Sequence, residues 1–248
     1  MFKDTFKMQR VKAVITYDGG YFQGFQKQKS TKNTITSNIE IALRSLGIND
    51  NIRGSGRTDA GVHATGQVID FLIPEFWKDL EKLKFELNRK LKYISFKHIS
   101  FIEEDFHSRF SAKKRVYRYI FKTSTPSIFE QNHIAYYPKF NQELLSKALK
   151  VFEGEHDFSN FIKTGSITHT NIRYIYKAYY KSYNNCYIIY FEANGFLRSQ
   201  VRMMIESSMQ VALNNLKIIE LENQLKLKKR YFTKLAPAEG LYLARIIY

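Results

Sequence analysis

At 248 residues the chain has room for one large domain or two small ones, and a hydrophobic content of 44% supports a packed core and argues against wholesale disorder. The 39 Lys and Arg residues against 23 Asp and Glu leave a formal charge of +16, which favours a polyanion; nucleic acid comes before an anionic membrane surface because no strongly basic amphipathic helix stands out. The single cysteine, Cys186, excludes an internal disulfide and a cysteine-ligated zinc, and with neither an apolar leader nor a membrane-length apolar run the expectation is a soluble cytoplasmic protein with no membrane partner.

The segment VKAVITY (11–17) alternates as a strand and runs into a turn at Asp18-Gly19-Gly20. Ile35, Ile39, Leu43 and Leu46 recur at helical spacing and predict a helix from about 34 to 46. The stretch GSGRTDAGVHATGQV (54–68) follows. It sets Asp59 in a glycine-rich loop two residues after Arg57, with His63 close behind, and leads into an apolar strand from Val68 to Ile73. Its glycines, Gly54, Gly56, Gly61 and Gly66, suit close backbone approach and positive φ. The loop lacks the Gly-Lys-Ser/Thr ending of a P-loop and the Gly-x-Gly-x-x-Gly spacing. A helix over about 77–91 and a strand near 95–102 come next.

The second half loosely echoes this order: a strand at 115–121, a helix at about 142–152, and a longer helix at about 197–213. Two alternating strands, 172–180 and 187–193, are expected to pair as a hairpin across Asn184-Asn185, and LYLARIIY (241–248) forms a last strand. Long hairpin-like strands with helices between them predict an α+β fold with a largely antiparallel sheet and flanking helices.

Three separated segments carry side chains suited to one chemistry. The first is the Asp59 loop. In the second, DFHSRFSAKKRVYRYIF (105–121), Tyr117 and Tyr119 share one strand face and Val116 and Arg118 the other; a tyrosine beside a reacting carboxylate can stack on a base or accept a proton. In the third, NGFLRSQVRMMIESSMQVAL (194–213), Leu197, Val201, Met204, Ile205 and Leu213 make an apolar helical face, while Arg198 and Arg202 share another stripe. A buried Arg202 needs an anion, and Asp59 is a candidate, although sequence alone does not bring the two into contact. Basic and aromatic residues interleave in KKRVYRYIFK (113–122) and IRYIYKAYYKSY (172–183), a pattern that suits stacking on unpaired bases beside phosphates and equally suits a half-buried strand.

GRTDAGVHATGQV (56–68) resembles the signature of the tRNA pseudouridine synthase A family. The likeness extends along most of the chain, through TYDGGYFQGFQKQ (16–28), DFHSRFSAKKRVYRYIF, GEHDFSNF (154–161), the NGFL…VR segment and APAEGLYL (236–243). The resemblance implies isomerisation of uridine to pseudouridine in the anticodon arm of tRNA, at positions 38 to 40, with no metal and no organic cofactor. It implies a pseudouridine synthase fold: two similar α+β subdomains, here 1–104 with the aspartate loop and 105–248 with the tyrosine and arginine, an active-site cleft between them, and a homodimer. It implies Asp59 as the catalytic carboxylate, Tyr117 as the active-site tyrosine that stacks on the base, Arg202 as the partner of Asp59, and Arg57 in nucleotide flipping. Further RNA contacts fall to Thr58, His63, Arg109, Phe110, Arg115 and Leu241.

The chain departs from the family pattern at several points. Phe25 stands where tryptophan is usual, Thr36 near a usual glutamine, Gln200 for a methionine, and Glu206 for a glycine. The family's Leu-Pro-x-Asp-Ile stretch reads LKYI (91–94). Two other readings stand beside the isomerase: a non-catalytic RNA-binding protein on the same fold, and a hydrolase using Asp59 and His63, for which Asp70 is the only further carboxylate in the segment.

Overall fold

The computed structural model describes residues 7–165 and 168–248, and the chain divides into two units: the first reaches to Lys113 and takes in Leu243–Tyr248, and the second is Lys114–Tyr242. Among the described residues no helix is long and apolar enough to cross a membrane.

The first unit contains β1 (Met8–Tyr17), α1 (Ile35–Arg44), β2 (Arg53–Gly54), β3 (His63–Pro74), α2 (Leu80–Lys90) and β4 (Ile94–Phe101). Strand β1 lies between β3 and β4 and is antiparallel to both, with Val14 opposite Val68 on one side and His98 on the other. Alternation on β1 is clean, with Val11, Ala13, Ile15 and Tyr17 buried. Strand β3 is buried along nearly its whole length; on the side away from β1 it pairs with β2 at Ile69 and Asp70 and also neighbours β10 (Leu241–Ile247), residues 243–247 of which belong to this unit. Helix α1 starts where Thr34 accepts from Ser37 N–H (3.2 Å) and buries Ile35, Ile39 and Leu43, the expected face. Helix α2 begins at Leu80, three residues later than the pattern implied, because the Asp79 side chain accepts from Lys82 N–H (2.9 Å) and caps it there.

The second unit contains β5 (Lys114–Lys122), β6 (Ala135–Tyr136), α3 (Gln142–Lys150), β7 (Gly154–Asp157), β8 (Ile172–Tyr183), β9 (Cys186–Ala193), α4 (Gln200–Ala212) and α5 (Ile218–Leu225). Its strands run in the order β5-β9-β8-β7 with antiparallel pairing, and the short β6 joins β5 in parallel. The expected hairpin forms: Tyr183 faces Cys186 across Asn184-Asn185, and Asn184 takes a φ of 51°, which asparagine tolerates better than most residues. Phe152, Phe158, Phe161 and Phe191 are fully buried together, with Phe152 meeting Phe161 edge-on at 5.3 Å. Helix α4 buries nearly every residue, polar ones included; Arg202 and Gln210 are the half-buried exceptions. The fold is thus α+β with a mostly antiparallel sheet and flanking helices, as expected.

Two expectations need correction. The strand read from Val68 begins at His63, so His63 lies on β3 and not in the loop. Arg198 shares no helical stripe with Arg202, because Ser199 adopts a left-handed φ of 60° and α4 starts only at Gln200. Of the four loop glycines, Gly61 takes a positive φ (78°), whereas Gly66 is there for space: a β-carbon on it would lie 2.3 Å from the Ala244 carbonyl oxygen. A β-carbon on Gly56 would meet nothing within 4 Å. Gly66→Ala is therefore expected to cost roughly 1–3 kcal/mol, a fall of about 2–12 °C in thermal midpoint by calorimetry, while Gly56→Ala leaves the midpoint unchanged.

Candidate active site

Asp59 sits on the stretch between β2 and β3, where burial varies from residue to residue: Ser55 and Thr58 are buried, Arg57 is exposed and Asp59 is half-buried. The buried residues are the ones that hold the loop. Ser55 Oγ donates to Gln67 Oε1 (2.7 Å), and the same Gln67 donates from Nε2 to the Gly56 carbonyl (2.7 Å), so one fully buried amide fixes two loop residues. Thr58 is held twice, by Phe25 N–H at its carbonyl (3.0 Å) and by the Tyr17 hydroxyl at its Oγ1 (2.8 Å). The turn after β1 supplies the third hold. Gly61 N–H donates to the Gly19 carbonyl (3.2 Å), and a β-carbon at Gly19 would sit 2.0 Å from the Val62 oxygen. His63, 2% exposed, accepts from Gly19 N–H at Nδ1 (3.1 Å) and lies 3.1 Å from Asp18 Oδ1. The phenyl ring of Phe25 lies against Gly54, where a β-carbon would come within 2.5 Å of it.

A buried ionic knot ties the segment after β4 to this frame. Asp70 is fully buried on β3 and accepts from Arg10 Nη1 (2.8 Å), from Arg53 Nε (2.7 Å) and Nη2, and from Ser108 N–H (2.8 Å). Arg53 also reaches the Phe106 carbonyl (2.9 Å), and Tyr248 donates to the Ser108 carbonyl (2.7 Å). A carboxylate with two guanidinium partners and an amide donor is fully engaged, so Asp70 is not the second acid a glycoside hydrolase requires. The knot presents His107, Arg109 and Phe110. Phe110 is 74% exposed, with the His107 ring 4.4 Å away and the Arg109 guanidinium 5.5 Å from its centre. Burial first, then the nearby Arg53 charge, lowers the His107 pKa below its ordinary 6.5.

In the second unit, Tyr117 lies on β5 at 8% exposure, edge-on to Phe196 at 5.2 Å. Arg115, two residues earlier on the strand, donates to the Asn194 carbonyl (2.6 Å). Arg202 projects from α4 and donates from Nε to the Ala236 carbonyl (2.7 Å), while Ala236 N–H returns a bond to the Arg202 carbonyl (3.1 Å). That exchange anchors the start of APAEGLYL, whose Leu241 is buried. Burial pushes the Tyr119 phenol well above its ordinary range, and the positive charge of Arg202 opposes the shift. Glu206, one turn after Arg202, is buried and accepts from Tyr137 OH (2.5 Å) and Gln210 Nε2 (2.8 Å). Gln200 is fully buried and accepts Leu197 N–H (2.8 Å), closing the turn that precedes α4.

The supporting residues Tyr17, Gln67, Arg10, Arg53 and Asp70 are not evident from the motif. One signal was present: Asp70 interrupts the apolar run VIDFLIP (68–74), and a charge at the centre of a buried strand has to be paired.

The model of the tRNA pseudouridine synthase family matches residues 13–111 and 148–248, a span that includes Arg57, Asp59, Arg202 and Leu241 and omits Arg115 and Tyr117. The chain belongs to that family, and with it to the isomerases. Among its relatives, a tRNA pseudouridine synthase A of Helicobacter hepaticus is 36% identical over 247 residues, covering 97% of this chain and all of the relative. Those of Helicobacter pylori (38% identical, 97% of this chain, 100% of the relative) and Wolinella succinogenes (35%, 97% and 95%) are similar over comparable lengths.

Removing the charge at Asp70 leaves two guanidinium groups facing a neutral amide. Asp70→Asn is expected to lower the unfolding free energy by roughly 3 kcal/mol, the low end for a broken buried pair because Arg53 retains access to water. Urea unfolding measures the loss, and limited proteolysis should cut first within 105–111.

Proposed function

We propose that the protein converts uridine to pseudouridine in tRNA, at positions 38 to 40 of the anticodon arm, as a homodimer. In this reading Asp59 is the catalytic carboxylate, Tyr117 stacks on the base, Arg202 is the counter-ion of Asp59, and Arg57 turns the nucleotide out of its helix. Thr58, His63, Arg109, Phe110, Arg115 and Leu241 serve RNA binding. The observation that carries the reading is the family match through the Asp59 loop and the Arg202 helix, on a chain with a formal charge of +16. The outward Arg57 and half-buried Asp59, on a loop braced from beneath, suit a group that must meet a flipped nucleotide.

The reaction breaks the N1–C1′ bond, turns the uracil over and joins C5 to C1′. A proton leaves C5 and N1 gains one, so atoms and electrons balance with no outside oxidant, metal or cofactor. Asp59 starts this as an anion by one of three routes: attack at C1′, attack at C6, or removal of the C2′ proton. Burial alone raises a carboxyl pKa, and a guanidinium partner keeps it ionised, which is the role assigned to Arg202. Flipping the nucleotide costs a few kcal/mol, offset by phosphate contacts to a basic surface.

Tritium at uridine C5 of an unmodified tRNA transcript should be released to water by the wild-type protein. Asp59→Asn should lower that release by about 10⁴–10⁶-fold while tRNA binding persists. Binding without release by the wild type would leave only an RNA-binding protein. Tyr117→Phe should retain more activity than Tyr117→Leu if the ring acts by stacking; equal losses would assign the role to the hydroxyl.

A further inference from the structure

The turn after β1 and the end of α2 enclose a cleft of about 410 Å³ in the first unit, lined by none of the residues assigned to the reaction above. One wall is a pair of surface tyrosines, Tyr21 and Tyr93, stacked with centres 3.4 Å apart and planes 5° from parallel. They are 50% and 39% exposed. Tyr93 holds this place at a φ of 64°, a left-handed conformation that is costly for a bulky side chain, and its carbonyl is fixed by Asp18 N–H (3.0 Å). Lys92 places its ammonium 4.9 Å from the Tyr93 ring centre, and Lys90 lines the same cleft. Two amides complete it. Asn33 donates to the Tyr21 carbonyl (2.9 Å) and Asn38 to the Thr34 carbonyl (2.9 Å), which leaves each a carbonyl oxygen and a second N–H for a base edge. None of the described residues that line the cleft is acidic, and the Asp18 carboxylate lies near enough to act on both rings.

We propose that this cleft binds an unpaired nucleotide of the tRNA other than the one that reacts. Its base stacks on the tyrosine pair, its edge meets Asn33 and Asn38, and its phosphate faces Lys90 and Lys92. Stacking rings, amides for hydrogen bonding and lysines are the three elements of single-strand RNA recognition. Lys92 and Tyr93 also fall in the LKYI stretch (91–94), which lacks the proline and the aspartate of the family's Leu-Pro-x-Asp-Ile. The inference rests on tRNA being the substrate.

The test is filter binding of an unmodified tRNA transcript, with single-turnover tritium release measured in parallel. Tyr21→Ala with Tyr93→Ala should raise the tRNA Kd about 5- to 150-fold and leave the single-turnover rate at saturating tRNA within about 2-fold of wild type. The corresponding pair of phenylalanine substitutions should restore affinity. Lys92→Ala should make the slope of log affinity against log salt shallower by about 0.7, one phosphate contact on a single strand. An unchanged Kd in a double variant with wild-type circular dichroism overturns the proposal. So does conversion of a dimer to a 29.3 kDa monomer by light scattering, which would make this face a contact between copies. If the wild type releases no tritium yet its tRNA affinity falls on loss of the two tyrosines, the cleft stands and the isomerase reading fails.

Discussion

The position of Asp59 depends on two backbone stretches touching with no side chain between them. The turn after β1 approaches the loop before β3 so closely that a methyl group at Gly19 would overlap the Val62 carbonyl. Once the two are in register, the remaining bonds follow: Phe25 N–H to Thr58, the Tyr17 hydroxyl to Thr58, Gly19 N–H to His63. Each closes a backbone or side-chain polar group that would otherwise be buried unpaired. The loop is thereby fixed through Thr58, Gly61 and His63, with Arg57 exposed and Asp59 half-buried. A carboxylate that must meet one atom of a flipped nucleotide gains from such rigidity, because misplacement by an ångström is costly to rate.

The departures from the family pattern are absorbed locally. Phe25 fills the space over Gly54 with a ring, which needs no indole donor. Gln200 supplies the acceptor that closes the Leu197 turn. Glu206, where the resemblance implies a glycine, has its buried carboxyl bonded to the Tyr137 hydroxyl and the Gln210 amide. Burial above all, then the neighbouring Tyr119 and Glu206, raises the Tyr137 phenol far above its ordinary range.

Elements with strong periodicity were legible in the sequence. Strand β1, helix α1 and the β8–β9 hairpin fall where alternation and helical spacing put them; β1 and α1 each bury one clean face, whereas β8 buries only Ile175 and Ala178, on either side of a register shift. Strand β7, four residues long, and helix α5 were not visible: the first is too short to show a period, and the second is one of the shortest helices in the chain. Boundaries shifted where a single residue decided them, Asp79 by capping α2 and Ser199 by turning left-handed before α4. At the candidate site the motif exposed Asp59 and Arg57, whose spacing is local. It did not expose Asp70 with Arg10 and Arg53, because those partners are 60 and 17 residues away along the chain and only strand pairing brings them together.

The first unit is discontinuous along the chain: residues 243–248 complete it, and the whole of 114–242 lies between its two parts. During synthesis at typical rates, β3 therefore waits on the order of ten seconds after the earlier strands have emerged before β10 can pair with it. Throughout that interval the part of β3 that β2 and Ser55 do not pair presents an open hydrogen-bonding margin. Nascent molecules at this stage are open to edge-to-edge association, and a chaperone or ribosome surface has a defined target to shield.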